Sequence, residues 1–147
     1  MKLFWIIAST LCITLAAHAA GLKTVASKHD FADTQSRLEA ALKEKNLTLF
    51  AKIDHQEGAE KAGLKMLPET VTIFGNPKGG TPFMVASPEA AIDFPLKALV
   101  HADAKGKVYV SYYPLTQIVK RHHIKGQDAL AKILDGVLAG IAKAATE

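Results

Sequence analysis

Four of the chain's six prolines, Pro77, Pro82, Pro88 and Pro95, fall within residues 69–113 together with Gly75, Gly79 and Gly80. Each proline fixes φ, removes a backbone donor and biases the residue before it away from helix, so the path of the chain is narrowly prescribed here. The stretch opens on the apolar run Val71-Thr72-Ile73-Phe74 and breaks at Gly75-Asn76-Pro77-Lys78-Gly79-Gly80. It continues through Thr81-Pro82-Phe83-Met84 and Ser87-Pro88-Glu89 to Asp93-Phe94-Pro95. A simple chain reversal needs less constraint than this, and the bend is therefore expected to hold a shape suited to contact. Residues 75–80 are expected to be irregular, with Thr81 as a helix cap and Pro82 at the first helical position, and the Ser87-Pro88-Glu89 pattern repeating that arrangement.

The flanking segments alternate between strand and helix signals. Residues 22–27 and 47–54 show period-two alternation, the second placing Leu47, Leu49, Ala51 and Ile53 on one side as a strand packed on one face. Between them, His29-Asp30 offers a cap for an amphipathic helix over residues 31–45, with Glu39 and Lys43 spaced to pair. A short helical turn over residues 55–62 ends at Gly63, and Val71 to Phe74 form a third strand. Residues 96–102 and 107–113 predict a hairpin, because Asp103 and Gly106 favour a tight turn. Pro114 opens a short helix that Gly126 ends. Residues 127–145 then form the last helix, with Leu130, Ile133, Leu134, Val137, Leu138 and Ile141 on its buried face and Gly136 and Gly140 permitting close approach to the sheet. Half-buried strands with long amphipathic helices indicate a single α+β domain, a sandwich of a largely antiparallel sheet covered by helices.

Residues 1–19 read as a secretory signal, with Lys2 at the start, an apolar stretch over residues 3–17 and a small-x-small cleavage pattern at Ala17-His18-Ala19. The apolar stretch is short for a bilayer span, so no membrane attachment is expected after cleavage. Residues 20–147 then form one domain in the periplasm or outside the cell. The sole cysteine, Cys12, lies in the leader, which excludes disulfide, thiolate and cysteine-metal chemistry from the mature domain. The formal net charge is +4, yet Arg37 and Arg121 are the only arginines and the lysines are scattered. That pattern argues against a nucleic-acid groove.

One set of residues, in order, resembles the DUF302 family of uncharacterised domains. It comprises Lys52-Ile53-Asp54-His55, Ala62-Gly63-Leu64, Phe74-Gly75-Asn76-Pro77-Lys78, Gly80-Thr81-Pro82, Asp93-Phe94-Pro95-Leu96-Lys97 and Gly106-Lys107-Val108-Tyr109-Val110-Ser111-Tyr112. The likeness runs from about residue 22 to the C-terminus and is densest over residues 53–112; Phe94 stands where the family more often has leucine. The resemblance implies a TT1751-like fold and self-association as a homodimer. It implies no activity, cofactor or catalytic residue.

The candidate site combines the bend with neighbouring groups: Asn76 offering an amide, Lys78 a positive charge, Thr81 a helix start, His55 a titratable donor, and Tyr109 with Tyr113 an aromatic surface. Free N–H groups in residues 75–80 would cradle an anion. The expected function is a non-enzymatic domain binding a small anionic or apolar ligand or a protein partner, without cofactor or metal. The alternative is a cofactor-free enzyme in which His55 acts as acid or base beside Asp54 or Asp93. Histidine-based metal binding is the third reading, and it requires folding to gather His55, His101, His122 and His123, since no metal-binding spacing links them. No serine lies in a nucleophile elbow.

Overall fold

The computed structural model describes residues 21–147; the leader expected over residues 1–19 lies outside the described residues. Five strands, β1 (Lys23–Ala26), β2 (Thr48–Asp54), β3 (Glu69–Gly75), β4 (Leu96–Ala102) and β5 (Val108–Tyr112), form one antiparallel sheet in the order β1-β5-β4-β3-β2. The last four are a meander in which sequence neighbours pair. β1 returns to the far edge, with Val25 opposite Val110. The helix α1 (Phe31–Glu44) carries the chain from that edge across the sheet to β2, and α5 (Asp128–Thr146) packs beside it. Three further helical segments, α2 (His55–Lys61), α3 (Pro77–Ala86) and α4 (Leu115–Arg121), and a 3₁₀ helix over Pro88–Asp93, complete the domain. The architecture is α+β, as the alternation of signals predicts.

The local starts and stops have identifiable causes. Asp30 caps α1 by accepting from the Asp33 N–H at 2.8 Å, satisfying one of the orphan donors of the first turn. The hairpin between β4 and β5 turns on Asp103, whose Oδ1 accepts from the N–H groups of Lys105 and Lys107, each at 2.9 Å, and on Gly106 at φ +79°. The bond from the Lys107 N–H, then that from Lys105, holds the Asp103 carboxyl below its ordinary range. α4 begins against α5: the Leu115 N–H donates to the Asp135 carboxylate, and the Thr116 hydroxyl donates to it at 2.6 Å.

One face of the sheet forms the core. Phe74, Val100 and Val110 point at Leu38 and Leu42 of α1, Leu115 of α4 and Ile141 of α5, and each of these side chains is at most 2% exposed. The pairing register puts Ile53, Val71, Leu99, Ser111 and Thr24 in one row on the opposite face. Ile53 is 44% exposed there.

Three expectations change. β2 is a strand, but a bulge between Leu49 and Ala51 splits its apolar side: Leu47 packs on the core and Leu49 lies opposite Phe74, whereas Ala51 and Ile53 face away. They do so because α1 lies over Lys52, which reaches Glu39 at 2.9 Å in place of the expected pairing of Glu39 with Lys43, and Gln35 of α1 donates to Thr72 of β3 at 2.9 Å. Ile133 of α5 is exposed, not buried. Gly136 and Gly140 do not serve close approach, since a Cβ at either would meet nothing within 4 Å. Alanine at these two helix positions should therefore add roughly 0.5–1 kcal/mol of stability each. A rise in the urea unfolding midpoint checks this; a fall would mean that both glycines are needed where they stand.

Candidate functional site

The bend after β3 is more regular than its composition suggests. Asn76 is extended (φ −143°, ψ 126°) and caps α3, which starts at Pro77. The helix thus begins four residues before Thr81. Pro77 takes the first helical position, where its missing N–H costs nothing, and Pro82 falls inside the helix. Because Pro82 has no N–H, the Lys78 carbonyl loses its usual helical partner.

Every backbone donor at this helix start is already used. The Lys78 N–H donates to Asn76 Oδ1 at 2.9 Å, and those of Gly79 and Gly80 both reach the Asn76 carbonyl at 3.0 Å. Asn76 Nδ2 donates to the Asn46 carbonyl at 3.3 Å, tying the bend to the turn between α1 and β2. One expectation is corrected by this: the loop has no set of free N–H groups to cradle an anion. The Asn76 amide holds the backbone at both ends.

Hollows nevertheless flank the bend. A cleft of about 390 Å³ lies between the start of α3, the end of β3 and α5, and its apolar wall is built by Leu96, Leu130, Leu134 and Val137. Lys45 and Lys78 are its charged lining residues. On the other side of Asn76 a hollow of about 230 Å³ is lined by Phe50, Thr81, Met84 and Phe94. Gly80 lines both hollows, and a Cβ there would crowd the Phe94 ring at 3.3 Å, whereas one at Gly79 would make ordinary contact with Leu134 Cδ1 at 3.7 Å.

Asn76, Lys78 and Thr81 are therefore gathered at one place, whereas the remaining predicted residues lie elsewhere. Asp54 pairs with Thr70 while Thr48 pairs with Gly75, so His55 stands at the opposite end of β2 and β3, about 20 Å of strand from Asn76. Asp54, not His55, caps α2, by accepting from the Glu57 N–H at 2.9 Å. Neither Asp54 nor Asp93 bonds to His55. Tyr109 sits on the sheet face away from the core, its ring stacked on His101 at 5.4 Å and its hydroxyl donating to Asp103 at 3.1 Å. Loss of water around that hydroxyl, then the bond to Asp103, raises its pKa. Tyr113 lies under the Arg121 guanidinium, 5.2 Å from the ring centre.

Sequence reasoning missed the partner of Asp93. Its Oδ2 is 2.6 Å from His122 Nε2 and its Oδ1 is 2.8 Å from an Arg121 guanidinium nitrogen, which joins the segment before Pro95 to the end of α4. A carboxylate only accepts, so Nε2 carries the proton. Burial alone would push the Asp93 carboxyl up; the hydrogen bond from His122 and the charge of Arg121 outweigh it and hold the carboxyl below its ordinary range. No local motif signals a pairing across 29 residues. Among the described residues no three His, Cys, Asp or Glu side chains converge as metal ligands, and no helix is long and apolar enough to cross a membrane.

Comparison with known proteins places these features in context. The family described as "Domain of unknown function DUF302" matches residues 23–144. A crystal structure of an uncharacterised conserved DUF302 protein from Bacillus stearothermophilus superposes with a TM-score of 0.78 at 19% identity, covering 86% of this chain and 99% of that one. Two curated relatives are each 36% identical over 104 residues: "Fluoride-specific ion channel FluC 1" of Brucella suis biovar 1 (strain 1330) and the protein of the same name from Brucella abortus biovar 1 (strain 9-941). The match covers 71% of this chain but 41% and 38% of those proteins. The chain therefore spans about two fifths of their length.

The Asp93 pairings set an acid limit. A carboxyl whose folded pKa is depressed contributes stability in full above its unfolded value, near 4, and loses it as pH falls through the folded value. The stability difference between the wild type and Asp93→Asn should thus be largest at about pH 6 and narrow below about pH 4. Urea unfolding at both pH values measures it, and a constant difference would mean that the ionised carboxylate contributes nothing.

Proposed function

We propose that this chain, which belongs to the DUF302 family, is a binding domain whose site is the cleft between the start of α3 and α5. The observation that carries the reading is the cleft itself: about 390 Å³ of apolar hollow beside a rigidly held bend, with lysines as its charged residues. Small-molecule sites are concave, mostly apolar and of roughly 300–1,000 Å³, with a few polar groups that orient the ligand. The chemistry favours binding over catalysis. Neither close histidine–carboxylate pair among the described residues, His122 with Asp93 or His29 with Asp33, lines this cleft; each carboxylate is also engaged with an arginine, Arg121 or Arg37. His55 has no carboxylate partner among the described residues to make it an oriented base.

The leader expected over residues 1–19 supports action after export, in the periplasm or outside the cell. A self-contained binding module also suits the match to part of the Brucella channel proteins, where the same kind of domain would accompany other sequence. Fluoride itself does not suit this cleft: a small, strongly hydrated ion gains nothing from leucine and valine walls, and the backbone donors beside it are occupied.

The domain is also proposed to self-associate through its uncovered sheet face. Ile53, Val71 and Leu99 form an apolar row there beside Tyr109. Leu99→Glu should convert a dimer to monomer in sedimentation velocity without loss of folding; a dimer unchanged by it places the interface elsewhere.

The cleft is tested by Gly79→Leu. The new side chain would run toward Leu134 across the opening, while loss of a helical glycine adds up to roughly 1 kcal/mol. An apolar naphthalene dye should bind the wild type at one site and the variant at least about tenfold more weakly, with an equal or higher thermal midpoint. Equal dye binding by both would show that the cleft is not the site.

A further inference from the structure

Resting on the reading of the cleft as a ligand site, we propose the class of its occupant: an unbranched alkyl chain ending in a carboxylate. The cleft is divided chemically. Its α5 side presents Leu130, Leu134 and Val137, which remain half-buried instead of sinking into the core with Leu138 and Ile141. A tail laid along them would complete their burial, at about 0.8 kcal/mol per methylene.

The mouth carries charge of one sign. Lys45 and Lys78 are exposed lining residues, and no Asp or Glu lines the cleft. Lys45 shares its charge with its neighbour Glu44 at 3.3 Å, but Lys78 has no ion-pair partner among the described residues. The head group is therefore an anion held by flexible ammonium groups at the rim.

The backbone narrows the choice further. A phosphate bound at a helix start requires free N–H groups, and those of Lys78, Gly79 and Gly80 are bonded to Asn76. A singly charged carboxylate on a flexible chain needs no such cradle. α3 and α5 approach closely at Gly79, where a Cβ would meet Leu134 at 3.7 Å, so the alkyl chain lies along the α5 stripe beside this contact.

The experiment is a titration of ¹⁵N-labelled protein below micellar concentrations with octanoate, decanoate, dodecanoate, decan-1-ol and decyltrimethylammonium. Decanoate is expected to shift the amide signals of Gly79, Leu134 and Val137, and affinity should rise about fourfold per added methylene until the cleft is full. Decan-1-ol should bind about fivefold more weakly than decanoate, the cationic amphiphile more weakly still, and the Lys45→Ala/Lys78→Ala double variant should lose about fivefold toward decanoate alone. Equal binding of decan-1-ol and decanoate would overturn the anionic head while leaving the cleft as an apolar site. Absence of shifts at those amides with every probe would overturn both readings.

Discussion

The arrangement depends on one side chain. Asn76 accepts from the Lys78 N–H with its amide oxygen, donates to the Asn46 carbonyl with its amide nitrogen, and receives two further helix donors on its backbone carbonyl. Four bonds meeting on one residue fix how β3 leaves the sheet and how α3 enters. They also anchor this junction to the α1–β2 turn, where Asn46 takes a positive φ of 54°. The position of α3 opposite α5, and so the width of the cleft, follows from that junction.

Much of this was legible from the residues. The Asp30 cap, the hairpin turn at Asp103 and Gly106, the strand alternation and the long amphipathic α5 are local signals, and they lie where periodicity and turn chemistry place them. The start of α3 was not, because two proline patterns compete: Pro77 after Asn76 and Pro82 after Thr81 both look like first helical positions. The upstream one wins because Asn76 reaches both the helix and Asn46, a contact between residues 30 apart. The cost is a proline within the helix, which denies the Lys78 carbonyl its usual helical donor.

Alternation reveals a strand but not which side of it is covered. Ala51 and Ile53 of β2 are apolar and still face away from the helices, since a bulge after Leu49 reverses the alternation and α1 meets Lys52 and Thr72 through Glu39 and Gln35. The grouping of candidate residues was similarly beyond local pattern. Asn76, Lys78 and Thr81 are adjacent in sequence and stay together, whereas His55, Tyr109 and Tyr113 are separated by the strand register. Asp93 found His122 and Arg121 through the placement of α4, which Asp135 of α5 sets by binding its first turn.

The location of β1 has a consequence for how the chain matures. Among the described residues this strand precedes the other four in the sequence, yet there it pairs with β5 alone, with Lys23 opposite Tyr112. During synthesis the meander can zip together hairpin by hairpin, while the earliest segment waits for nearly the whole domain before its ladder exists. Until then the rim of β5 offers unpaired amides and carbonyls to any passing strand. Contacts so distant along the polymer form slowly. The nascent domain is thus most vulnerable to mispairing and aggregation at the moment just before β1 reaches β5.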